Sequence, residues 1–285
     1  MVRWEKSMDS MIPSYKPLFE LTKRRLYRLK QRAINKSGKF DEQDQLMFLI
    51  IGNINLRFNT ICLLIENNNY DGVFALQRTI FELQLALEAY MSSEDKGKFV
   101  ELYYKKKNFE TAVKWERFAD ESRKKQSGVF TEGEHNLTLD WKSAITADLK
   151  QSINQKPWLT WYELATNKNT KDLSYEYLSE IDYFTSYDEP SNWVHPQRLD
   201  DNMDTNFNQT LSKDYVYLLL GILICDIKWL TNDINKVREY LKIEKSTKLK
   251  EYFDKMGAYS KQISDIYLKK QKEDIKIHPN QTQES

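Results

Sequence analysis

The sequence predicts an all-α fold, a helical bundle with a central antiparallel helix pair and long peripheral helices. The chain of 285 residues holds only 8 Gly and 6 Pro, too few turn-formers for many short strands. Its strongest apolar pattern, Met47, Ile51, Ile54, Phe58, Ile61 and Ile65, alternates spacings of four and three, the period of one helix face carried further than strands usually run. A second pattern of the same kind begins only a few residues later, and so short a connection folds two helices back against one another.

The first helix is expected from about Pro17, a good first-turn residue, to about Asn35, with Phe19, Leu26, Leu29 and Ala33 as a narrow apolar stripe. The loop "KSGKFDEQD" leads into the Met47–Ile65 helix, where Asn53, Asn55, Arg57 and Asn59 argue for an amphipathic helix and against a membrane span. The run "ENNNYD" stops it, and Asp71 is the expected N-cap of the next helix, which carries Val73, Leu76, Ile80, Leu83, Leu87 and Tyr90. Residues 97–126 mix Phe99, Leu102, Phe109, Val113 and Trp115 with many charges and read as a peripheral helix. The stretch "SGVFTEGEHNLTL" reads as a loop, followed by short helices near 140–152 and 158–166. Asp172 is expected to cap a helix reaching about Ser186, and "YDEPSNWVHPQ" to form a turn-rich corner. After a polar loop, residues 211–241 form a central helix apolar on more than one face. A last helix near 246–272 presents Leu249, Phe253, Met256, Ile263 and Tyr267 on one side. These patterns divide the chain into a basic N-terminal helix (1–45), a core bundle (46–242), an amphipathic C-terminal helix (243–275) and a disordered tail (276–285).

Cys62 and Cys225 each sit in an apolar run without a nearby His or second Cys, which predicts buried free thiols in a reducing compartment. The segment "MVRWEKSMDSMIPSYK" lacks the apolar stretch of a signal peptide, and "YVYLLLGILIC" is shorter than the roughly 20 residues of a bilayer span. A cytoplasmic protein without membrane contact is the expectation.

No Gly-rich phosphate loop, G-x-S-x-G elbow, H-E-x-x-H or Cys/His metal spacing is present, so neither a cofactor nor a metal is predicted. The acidic group Asp188, Glu189, Asp200, Asp201 and Asp204 lacks the spacing of a calcium loop and reads as solvated. Two polar features stand out instead. Arg78 and Glu82 lie one turn apart in the apolar segment "LQRTIFELQLALEAY", on a stripe with Phe74, Leu85 and Ala89. Burial there demands that they pair, either as a structural ion pair or as the wall of an internal polar site. His195, in "NWVHPQ", is the histidine set among aromatic and apolar neighbours, and Tyr175 and Ser179 offer two hydroxyls one turn apart. Separately, Lys16 to Lys39 contains nine basic residues and one acid, Glu20, although the net charge of the chain is +1. Lys23, Arg24, Arg25 and Arg28 are the candidates there for contacting a nucleic-acid backbone.

The motifs "LQRTIFE", "WLTWYELA", "YEYLS" and "WVHP", in that order across about residues 45–235, resemble an uncharacterised bacterial helical family known only as a domain of unknown function. The resemblance implies an all-helical domain with shared polar positions at Arg78, Glu82, Tyr175, Ser179 and His195. It implies no activity. In outline the bundle is also similar to the HEPN class of helical ribonucleases and nucleotide-binding proteins, but that class places a His four to six residues after an Arg, and no histidine here does so. The expected function is an RNA- or nucleotide-acting effector of a bacterial defence or toxin-type system. There His195 serves as acid or base, Arg78 meets phosphate charge and Glu82 orients Arg78. The alternative is a non-catalytic scaffold, with a protein partner or a second copy of the chain, in which the same residues are structural.

Overall fold

The computed structural model describes residues 12–70, 72–125, 128–129, 131–153, 158–194 and 213–277, and every regular element among them is a helix. In order these are α1 (Lys16–Ser37), α2 (Glu42–Glu66), α3 (Val73–Ser92), α4 (Lys96–Lys124), α5 (Glu132–Ile153), α6 (Trp161–Thr166), α7 (Thr170–Tyr177), α8 (Glu180–Tyr183), a π-helical turn (Phe184–Asp188), α9 (Glu189–Val194), α10 (Lys213–Tyr240) and α11 (Thr247–Ile277). The chain is all-α, as its periodicity predicts. It divides into two compact units, one made of Met1–Leu87 with Leu178–Ser285 and the other of Glu88–Tyr177.

In the first unit, α2 buries Met47, Ile51, Ile54, Phe58, Ile61 and Ile65 completely and packs against α1 and α10. Each such side chain contributes about 1.5–3 kcal/mol by leaving water. Asp41 caps α2, its carboxylate accepting from the Asp44 amide, and Gly38 ends α1 at φ 72°, a left-handed conformation that suits glycine. Polar ties fix the register of the surrounding helices. The Tyr15 hydroxyl donates to Asn55 Oδ1 at 3.0 Å, Thr22 meets the Tyr252 hydroxyl at 3.2 Å, and Lys36 donates to the Lys242 carbonyl at 2.8 Å.

The polar residues that α3 buries are Gln77 and Gln84, both completely, and Glu88, and not Arg78 and Glu82. The amide of Gln77 donates to Asp226 on α10, and that of Gln84 to Asp233, each at 2.9 Å. Both pairs advance seven residues on both helices, so α3 and α10 run side by side in parallel. By length and composition α2 and α10 are apolar enough to cross a bilayer. Yet α2 buries Asn55 and α10 buries Asp226 and Asp233, each bonded within the fold.

In the second unit α4 packs on α5 and α6, and the fully buried Ala112 and Ala119 sit seven residues apart along α4, on one face. The expected loop over 127–139 is replaced in most of its length by α5, which begins at Glu132. Its start is a capping arrangement: Glu134 accepts from the Thr131 amide and hydroxyl, and the Glu134 amide donates to the Thr131 hydroxyl. His135, expected in a loop, is buried on α5 and bonded to Asp120 at 2.6 Å.

The single helix expected from Asp172 to Ser186 is broken. Asn169, not Asp172, supplies the oxygen that accepts an early amide of α7, that of Asp172 itself, at 2.9 Å. Ser179 is extended and caps α8. The expected corner at 187–197 is helical as far as Val194, where the described residues stop. Pro190, which has no N–H to give, follows directly on the π-helical turn Phe184–Asp188, within a helical run that continues from Glu180 to Val194. At the other end α11 continues to Ile277, two residues into the expected tail; the remainder of that tail, Asp71, His195 and Asp200 to Asp204 lie outside the described residues.

Candidate functional site

The polar centre is built where α3 meets the π-helical turn. A π turn inserts one residue into the helical repeat and re-aims the side chains that follow, a device frequent at functional sites. Here it carries Tyr187 to Arg78. Arg78 Nε donates to Glu82 Oε1 at 3.3 Å and Nη2 to the Tyr187 hydroxyl at 3.1 Å, with the guanidinium carbon 4.6 Å from the Tyr187 ring centre. Behind it Tyr187 stacks on Tyr183, and both rings contact Phe81, which also meets Trp229 of α10.

The Arg78 and Glu82 side chains are each 35% exposed, so the pair is not sealed in the core. The reason is helical phase: Gln77, Ile80, Phe81 and Gln84 occupy the inward face, which leaves positions 78 and 82 on its flank. Burial pulls the Arg78 pKa down, but the neighbouring Tyr187 and Glu82 outweigh it and the net displacement is upward. The guanidinium is thus a fixed cation. Its Nη1 makes no hydrogen bond to a described residue and remains available to an anion.

Ser179 donates to Asp182 Oδ2 at 2.7 Å, and the Cys225 thiol donates to Asp182 Oδ1 at 3.5 Å. Cys225 is only partly buried, unlike Cys62, and both are free thiols. Burial is the first cause that raises each thiol pKa, so neither is a ready thiolate. Tyr175 lies on α7 in the second unit, 45% exposed, with Lys171 5.6 Å from its ring centre. The phenol that meets Arg78 is that of Tyr187, which no sequence motif singled out. His195 follows the last described residue of α9 and has no described position. Among the described residues no group of three His, Cys, Asp or Glu side chains is arranged to hold a metal.

The basic face of α1 is sorted by the fold. Lys23 is paired with Glu20 at 3.2 Å, and Arg24 is exposed. Arg25 and Arg28 line a cleft of about 510 Å³ together with Arg32, Ser246, Thr247 and Lys248 at the start of α11. Arg32 and Lys248 are not among the residues the sequence singles out, and Lys248 is far from α1 in the chain.

A family model described as "Family of unknown function (DUF5677)" matches residues 44–210. That span holds Arg78, Glu82, Tyr175, Ser179, Tyr187 and His195, but neither helix of the basic cleft. No curated protein and no solved structure matches the chain.

Proposed function

The chain belongs to the DUF5677 family, a family of unknown function, and on the chemistry of its own residues we propose that it is a cytoplasmic, bacterial effector acting on RNA or a nucleotide. One observation carries the reading: Arg78 is held from two sides by Glu82 and Tyr187, yet stays partly open to solvent with Nη1 uncommitted. A guanidinium oriented before a ligand arrives neutralises phosphate charge without reorganising at the moment of reaction. Arg78 receives a phosphate oxygen, Glu82 and Tyr187 position Arg78, and His195 exchanges the proton near neutral pH. A ribonuclease-type cleavage in a defence or toxin setting is the reaction class that uses these groups.

The test is turnover of RNA and of nucleotides by the full-length protein, with growth arrest on induced expression as a second readout. Arg78→Gln and His195→Gln are each expected to lower turnover by about 100-fold or more while the helical circular-dichroism signal persists. Because the Arg78–Glu82 pair is partly open to solvent, its loss costs only about 1 kcal/mol of stability, not the several expected of a buried pair. Full activity in His195→Gln would remove the proton-transfer step from the scheme. A wild type with neither turnover nor toxicity would leave these residues to the scaffold reading.

A further inference from the structure

The cleft between α1 and the start of α11 is a concentration of positive charge, offset only in part by Glu251 of α11, whose carboxylate acts on Arg25. Arg25, Arg28 and Arg32 recur at spacings of three and four on one face of α1, and Lys248 faces them from the first turn of α11. None of the four lies in an ion pair with a described residue, and no acidic side chain lines the cleft. The Nε of Arg25 is buried without a hydrogen-bond acceptor among the described residues, so an acceptor brought by a bound anion would be favourable there. Burial, and after it the neighbouring Arg28, pull the Arg25 pKa down.

The backbone adds to this field. α11 is 31 residues long, its first turn has no acidic residue, and Ser246 caps it by accepting from the Leu249 amide at 3.3 Å. A helix start carries partial positive charge and favours anions, so a lysine there with no carboxylate is unfavourable unless an anion is bound. The volume of about 510 Å³ falls in the range of roughly 300–1,000 Å³ usual for small-ligand sites. No aromatic ring lines it, so nothing stacks a base, and four cations exceed what one phosphodiester neutralises.

We propose that this cleft binds the polyphosphate group of a small ligand, of the nucleoside di- or triphosphate class. Arg25, Arg28, Arg32 and Lys248 hold the phosphates together with the first-turn amides of α11, and the base is left unread. The site lies outside the 44–210 family match and does not depend on the reaction assigned to Arg78.

Calorimetric titration of the full-length protein with inorganic tripolyphosphate, ATP and a short single-stranded RNA tests it. Tripolyphosphate and ATP should bind with similar affinity, weakening steeply as salt rises. The exposed pair Arg28→Glu/Arg32→Glu should lower that affinity by about tenfold or more. Lys255→Glu/Lys261→Glu, a matched charge reversal on exposed α11 residues away from the cleft, should change it by less than about twofold. The proposal is overturned if tripolyphosphate does not bind the wild type. It is equally overturned if both reversals weaken binding alike, since the attraction is then diffuse, or if RNA binds through Arg28 and Arg32 without competition from tripolyphosphate.

Discussion

Asp226 and Gln77 form a demanding contact in the core. Both are fully buried, yet Asp226 Oδ2 and Gln77 Oε1 have no hydrogen-bond partner among the described residues. Two orphaned acceptors beside one good bond are what a protonated carboxyl would resolve, its O–H donating to the amide oxygen. Burial, opposed by the Gln77 bond, raises the Asp226 pKa to about 8. An acid whose folded-state pKa lies above its unfolded value binds more protons in the folded protein. Its contribution to stability is therefore full below about pH 4 and declines as pH rises towards 8, by on the order of 1 kcal/mol per pH unit. Asp226→Asn supplies the missing N–H donor permanently. Thermal melts should show the variant more stable than the wild type at pH 8.5 and nearly equal to it at pH 4.5. A variant less stable at pH 8.5 would mean that the ionised carboxylate is the native form. None of this was legible beforehand, because a glutamine beside an arginine draws less attention than the charge, and one residue of helical phase decided which went inside.

At the scale of elements, what could be read from the chain and what could not separate along one line. Long helices with an uninterrupted apolar face, α2, α10 and α11, are where their periodicity places them. Short helices are set by caps, and those signals are brief. Thr131 and Glu134 spell a capping box that Gly133 and the surrounding polar residues obscured, and Ser179 restarts a helix inside what looked like one. The tightest of these devices lies within "WLTWYELA". One oxygen of Glu163 accepts from the Thr160 amide and hydroxyl and the other from the Thr170 amide and hydroxyl, all at 2.9 Å. A single carboxylate thus pins the starts of both α6 and α7, so this motif has a structural duty. Glu163→Ala should destabilise by about 1–3 kcal/mol, since charged hydrogen bonds are lost and partly buried donors are left without their acceptor. Amide exchange within 160–177 should accelerate more than elsewhere, and unchanged exchange there would show that the helices are held by packing alone.

For the whole molecule, the family match and the structural unit do not coincide. Residues 44–210 contain all but the first two residues of α2 and the helices α3 to α9, but the first unit draws α1, α10 and α11 into the same body as α2 and α3. The buried faces of α2 and α3 are completed from outside the match. α10 brings Leu219, Leu223, Leu230 and Ile234, all fully buried, with Asp226 and Asp233 for the two glutamines; α11 brings the Tyr259 hydroxyl to 3.9 Å from the Cys62 thiol, and Tyr15, before α1, bonds to Asn55. Removing them exposes apolar faces whose side chains each gain about 1.5–3 kcal/mol from burial, against a typical total stability of about 5–15 kcal/mol for a domain. It also strips both glutamine amides of their acceptors. A fragment of residues 44–210 should therefore keep part of its helical signal but melt without a cooperative transition and bind a hydrophobic dye, whereas the full chain melts cooperatively. The second unit, whose α4, α5 and α6 pack within Glu88–Tyr177, should account for the helicity that survives. A sharp cooperative melt of the fragment as a whole, without dye binding, would show instead that the matched region is a self-sufficient core and that α10 and α11 are additions to it.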